Sequence, residues 1–116
     1  MEIGFNLLPI PALYLPTLLI DMPETRFKIR WPDGAEAICY SPSSIVKSYF
    51  DRERDYELAD FVARSQIALN IASDRVYAKY GRACGLALGQ LAEIEATALQ
   101  FGSQSRPIVR VIEFIE

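Results

Sequence analysis

The sequence predicts an α+β domain: a small three-stranded sheet, made of an N-terminal hairpin plus a C-terminal strand, covered on one face by a short helix and a long antiparallel helix pair. Three observations lead there. Phe27, Ile29 and Trp31 alternate with Arg26, Lys28 and Arg30, the period of two that gives a strand one buried and one wet face. Leu58, Phe61, Val62, Leu69, Ala72, Val76 and Tyr80 recur at helical spacing along one long segment. Behind Pro107, Ile108 to Ile115 is mostly β-branched or aromatic, which favours a strand although its spacing also fits a helix.

Each element has a local cause. Pro32-Asp33-Gly34 suits a three-residue hairpin loop, with Pro at the first corner and Gly supplying positive φ. If Trp31 faces Ala35 across that loop, then Ala35, Ala37 and Cys39 share the face of Phe27 and Ile29, and Glu36 lies opposite Arg30. Ser41 is the expected cap of the short helix and Pro42 its first residue, with Ile45, Val46, Tyr49 and Phe50 inward. Asp51 to Asp55 reads as a solvated, charged connection. The central helix is expected from Asp55, its cap, to Gly81, where a residue without Cβ suits a left-handed ending. A third helix is expected over about Ala83 to Phe101, with Ala87, Leu91, Ile94, Ala98 and Phe101 inward. Gly85 and Gly89 are expected to offer close approach. The short Gly81-Arg82 link makes the two long helices antiparallel neighbours.

A chain of 116 residues, 51% hydrophobic and 23% charged, has the composition of one globular domain. Residues 1–21 differ from the rest. Leu7 to Ile20 is nearly all apolar, but Glu2 replaces a basic leader, and Pro9, Pro11 and Pro16 interrupt a run shorter than the ~20 residues of a membrane span. We expect an upstream extension with translation starting at Met22; an extended arm covering part of the core is the alternative. The domain proper is residues 22–116.

Twelve basic against 15 acidic residues give a net charge of −3, so no global field gathers nucleic acid or anionic lipid. There is no histidine. Ser-His-Asp and Cys-His nucleophilic sites, histidine-containing zinc sites and imidazole bases are thereby excluded within the chain. Cys39 and Cys84 lack Cys-x-x-Cys spacing and read as reduced thiols of a cytoplasmic protein, although sequence alone leaves a bridge between them open. No cofactor and no metal are expected.

Trp31-Pro32-Asp33-Gly34, Cys39-Tyr40-Ser41-Pro42-Ser43, Ala59-Asp60-Phe61-Val62-Ala63-Arg64-Ser65, Ala72-Ser73-Asp74-Arg75-Val76 and Lys79-Tyr80-Gly81, in that order, resemble the small bacterial nitrogen starvation response family first named from mycobacteria. Cys84, Ala87-Leu88 and Gln90-Leu91-Ala92-Glu93-Ile94-Glu95 are similar too. The resemblance excludes residues 1–21. It implies a gene cluster with a nitrilase, a radical-SAM protein, an acetyltransferase-like protein and a flavin-dependent oxidoreductase. It also implies an accessory role in nitrile or cyanide nitrogen assimilation, with a cluster-encoded enzyme as partner. No catalytic residues come with it.

Candidate surfaces remain to be weighed. Arg64 has a planar fork suited to a carboxylate or phosphate, beside Ser65, but Asp60 one turn earlier makes an ordinary ion pair equally apt. Arg26, Lys28 and Arg30 form a basic strand face for an acidic partner, or a plain solvated face. Cys84, near a helix start and Arg82, is either a reactive thiol or a small seam residue. Tyr40, Tyr49, Tyr77 and Tyr80 can line a pocket or pack at the core edge. A non-enzymatic interaction protein is the leading expectation, ahead of a small-ligand sensor or carrier and of a small enzyme using carboxylates or Cys84. An unpaired sheet edge also leaves a homodimer open.

Overall fold

A computed structural model of the chain describes residues 23–116. The proposed extension and the Met22 start lie outside the described residues. Strands β1 (Thr25–Arg30) and β2 (Glu36–Ser41) lead into a 3-10 helix (Ser44–Ser48) and a third strand, β3 (Arg54–Glu57). Helices α1 (Leu58–Tyr80) and α2 (Gly85–Leu99) follow, then β4 (Ile108–Ile115). All strand pairs are antiparallel, in the order β2-β1-β4-β3.

The sheet therefore has four strands rather than the three expected. The fourth is Arg54–Glu57, drawn from the charged stretch read as a connection. Its single inward residue, Tyr56, is buried and pairs with Val109. The hairpin forms in the expected register. Trp31 donates its amide to the Ala35 carbonyl at 2.8 Å, Gly34 sits at φ +91°, and Arg30 pairs with Glu36. Cys39 is buried and Ala37 half-buried on the inner face, while Ala35 at the loop is exposed.

The short helix starts later than expected. Ser41 ends β2, and Ser43 caps the turn by accepting from the Ile45 amide at 3.2 Å. Its turns are 3-10; Val46 and Phe50 are buried and Ile45 and Tyr49 partly so. Helix α1 begins at Leu58, not Asp55. Glu57 occupies the cap position without a side-chain hydrogen bond, and the Leu58 amide instead donates to the Pro107 carbonyl at 3.0 Å. Its far end is as expected: Gly81, at φ +80°, donates to the Tyr77 carbonyl at 2.7 Å.

Two hydrogen bonds fix the helix pair as antiparallel. Cys84 N–H reaches Ser73 Oγ at one end and Gln66 Nε2 reaches Glu95 Oε2 at the other. The helices cover one face of the sheet, burying Phe61, Leu69, Ala87 and Ile94 toward Phe27, Ile29, Val109 and Val111. An aromatic chain runs through this core, with Trp31 edge-on to Phe61 at 5.7 Å and stacked on Phe101 at 5.9 Å. Along β4 the register shifts between Lys28 and Ile29, making Ile112 the extra residue of a bulge, whose carbonyl accepts from the Glu53 amide.

Candidate functional site

The uncovered face of the sheet carries the expected basic row, but its charges are matched. Glu36 Oε2 accepts from Arg30 at 2.9 Å, and Lys28 lies 3.4 Å from the other oxygen. The Arg30 hydrogen bond, helped by Lys28, holds the Glu36 carboxyl below its ordinary range. Arg26 is 3.5 Å from Glu24 and lies over the Tyr40 ring, and Arg110 pairs with Asp55 at 2.9 Å. What remains is a laced, nearly neutral surface.

Arg64 is occupied on three sides. Its Nε meets Asp60 at 3.0 Å, one terminal nitrogen donates to the Tyr49 carbonyl at 2.8 Å, and its carbon centre lies 5.2 Å from the Tyr56 ring centroid. It ties α1 to the chain between the 3-10 helix and β3. Ser65 faces the interior, fully buried, and its Oγ has no hydrogen-bond partner among the described residues. The three residues Asp60, Arg64 and Ser65 thus do not converge on one opening.

Cys84 caps α2 and is half-buried. Its Sγ accepts from the Ala87 amide at 3.4 Å. It lines a hollow of about 260 Å³ with Tyr40, Lys79 and Tyr80, which brings two of the four singled-out tyrosines together. Burial and the nearby Glu24 carboxylate push the Tyr40 phenol up. Cys39 is different: burial first, then Glu93, pushes its thiol up to about 12. Both thiols are free.

A wider opening involves none of these residues. A groove of about 700 Å³ runs between the start of α1 and the end of α2. Leu58, Ala59, Val62 and Ala63 form one wall, Ala98 and Leu99 the other, and Gly102 and Pro107 close the end. Glu57, Gln66, Glu95 and Arg106 make a polar rim, with Arg106 Nη2 3.6 Å from Glu57. Leu99 stands at its lip, 82% exposed. A leucine placed so openly beside an apolar hollow is costly to keep in water, at roughly 25 cal/mol for each Å² of apolar surface. Sequence reading missed this groove because its walls come from segments about 40 residues apart.

Helix α2 adds a second apolar surface. Its inner stripe is Ala87, Leu91, Ile94 and Ala98, while Gly85, Gly89, Ala92 and Ala96 are exposed on the opposite side. The close approach expected of Gly85 and Gly89 is not to α1: a Cβ built at either meets nothing within 4 Å. Leu86 beside them is 70% exposed.

Among the described residues, no group of three or more Cys, Asp or Glu gathers around a metal-sized space, and no helix is long and apolar enough to cross a membrane. The groove can receive apolar groups, with the carboxylates of Glu57 and Glu95 at its rim. In comparison with known proteins, a family model described as nitrogen starvation-induced protein NitG matches residues 26–114. The match begins within β1 and ends within β4, so it takes in both helices and all of the four-stranded sheet except Thr25 and Ile115. No curated protein and no solved structure matches the chain.

Proposed function

The chain belongs to the family of nitrogen starvation-induced protein NitG, and from that membership we propose that it serves the starvation response as a non-enzymatic interaction protein, docking a protein partner on the groove between α1 and α2. The observation that carries this reading is Leu99, 82% exposed at the lip of an apolar hollow of about 700 Å³. Exposed apolar patches rimmed by polar residues mark interaction sites. The resemblance to proteins of nitrilase-type clusters supplies the candidate partner, an enzyme of nitrile or cyanide nitrogen assimilation, with this chain as its accessory subunit.

The test is affinity capture from nitrogen-starved cells with the wild-type chain and with Leu99→Glu. The substituted side chain is already in solvent, so the fold is retained. A cluster enzyme held by the wild type and lost by the variant supports the proposal; equal capture by both, or none of those enzymes, overturns it.

A second reading draws on the size of the groove, which lies within the ~300–1,000 Å³ typical of ligand pockets. A carrier of a small apolar ligand would show ligand-dependent thermal stabilisation that Leu99→Glu leaves weaker.

A further inference from the structure

Surface helices put charged residues opposite their buried stripe, and a helix apolar all round is one that is buried. Helix α2 breaks the surface pattern. Opposite its core stripe stand Gly85, Gly89, Ala92 and Ala96, all exposed, and its few polar residues lie on the flanks. Gly85 and Gly89 weaken the helix relative to alanine, and nothing inside this chain approaches them closely enough to need a missing Cβ. Leu86 and Leu99, at the two ends of the helix, are 70% and 82% exposed. This is the surface of a helix that a second helix crosses at short distance, since small residues let two axes come near the lower end of the ~8–10 Å range.

Charge selects the occupant. Helix α2 contains no basic residue, and its two acidic residues sit on either flank of the small-residue row. Glu95 is engaged by Gln66, whereas Glu93 is exposed and forms no ion pair among the described residues. A second copy laid antiparallel about Ala92 would set Glu93 against Glu93 of the copy, an arrangement that like charges oppose. A helix with lysine or arginine beside an apolar seam meets both needs.

We propose that the outer face of α2 is a docking surface for an amphipathic helix of a partner protein, with basic residues flanking its apolar seam. The inference rests on the interaction reading above and specifies the chemistry of the partner; the helix would continue over Leu99 into the groove.

Two synthetic helical peptides of about 18 residues, long enough to span α2, serve as probes. Both carry a leucine and alanine seam, one flanked by lysine and the other by glutamate. Fluorescence anisotropy with the full chain is expected to show the lysine peptide bound at least about tenfold more tightly, a difference of about 1.4 kcal/mol. Gly89→Leu should weaken it about tenfold without harming the fold, because leucine raises helix propensity and the added side chain meets open space. Glu93→Lys should shift preference toward the glutamate peptide. Equal binding of both peptides, or undiminished binding by Gly89→Leu, overturns the proposal. So does a wild-type dimer in sedimentation that Gly89→Leu dissolves, since the occupant is then a second copy. If the Leu99-dependent capture described above succeeds while both peptides fail, the helix-docking inference falls and the interaction reading stands.

Discussion

Gln90 on α2 accepts the backbone amide of Tyr40 at 2.9 Å, fifty residues earlier in the chain. Tyr40 belongs to β2, an outer strand of the sheet, and its amide points away from β1. A side chain therefore supplies the acceptor that a neighbouring strand would otherwise provide, which blunts the edge against pairing with another chain.

Gln90→Leu should cost about 1 kcal/mol by leaving that half-buried donor unmade. It should also abolish protection of the Tyr40 amide from hydrogen exchange. Gln90→Glu keeps an acceptor and should keep the protection. Exchange rates measured by NMR check both, and unchanged protection in Gln90→Leu would show the contact to be idle.

Arg64→Leu should lower stability by about 1–3 kcal/mol, because the Tyr49 carbonyl loses a charged donor and the Tyr56 ring its cation. Asp60→Ala, which removes only the half-exposed ion pair, should cost about 0.5 kcal/mol or less. Urea midpoints decide. Similar losses in the two variants would shift weight to the ion pair and away from the tie between elements.

Cys39 gives a pH dependence whose sign is fixed. Its folded-state thiol sits near 12 against an ordinary value of 9.0, so the stability it contributes is fully present below pH 9 and lost as pH rises from there toward 12. Within that window the unfolded chain releases a proton that the folded chain holds, a slope of about 1.4 kcal/mol per pH unit from this one group. Cys39→Ala should flatten that slope in urea titrations across the window. In the folded protein at pH 8, thiol reagents should label the half-buried Cys84 well ahead of Cys39.

The parts of the fold that were legible in the sequence are those fixed by neighbours along the chain. The hairpin register followed from Pro32-Asp33-Gly34 and one face of alternation, and the end of α1 from Gly81. Strand β3 was not legible because Arg54-Asp55-Tyr56-Glu57 has one buried residue, and a period of two needs at least two. Its charges suit a sheet edge as well as they suit a loop. Ser41 and Ser43 both have capping chemistry. The choice between them depends on how far β2 follows β1, since Thr25 pairs with Ser41. Among the candidate residues, Arg64 proved to be a tie between elements, and the basic strand face proved to be paired with carboxylates. Gly85 and Gly89 were read as an invitation to close approach, yet within the described residues nothing comes near them, because a helix with small or apolar residues on two opposite sides does not say which side faces inward. The groove at Leu99 was illegible for a related reason: it is a property of two helices meeting rather than of either one.

Strand β4 is made after every other strand, yet it lies between β1 and β3. On the ribosome, the hairpin and the β3-α1 segment therefore emerge with no strand to join them, each holding half of an apolar face. Sheet closure waits for Ile108–Ile115 to arrive and insert, a step of long sequence separation that is slow by nature. Newly made chains thus pass through an interval in which Phe27, Ile29 and Tyr56 lack their β4 neighbours. That interval is where chaperone capture and proteolysis would compete with folding.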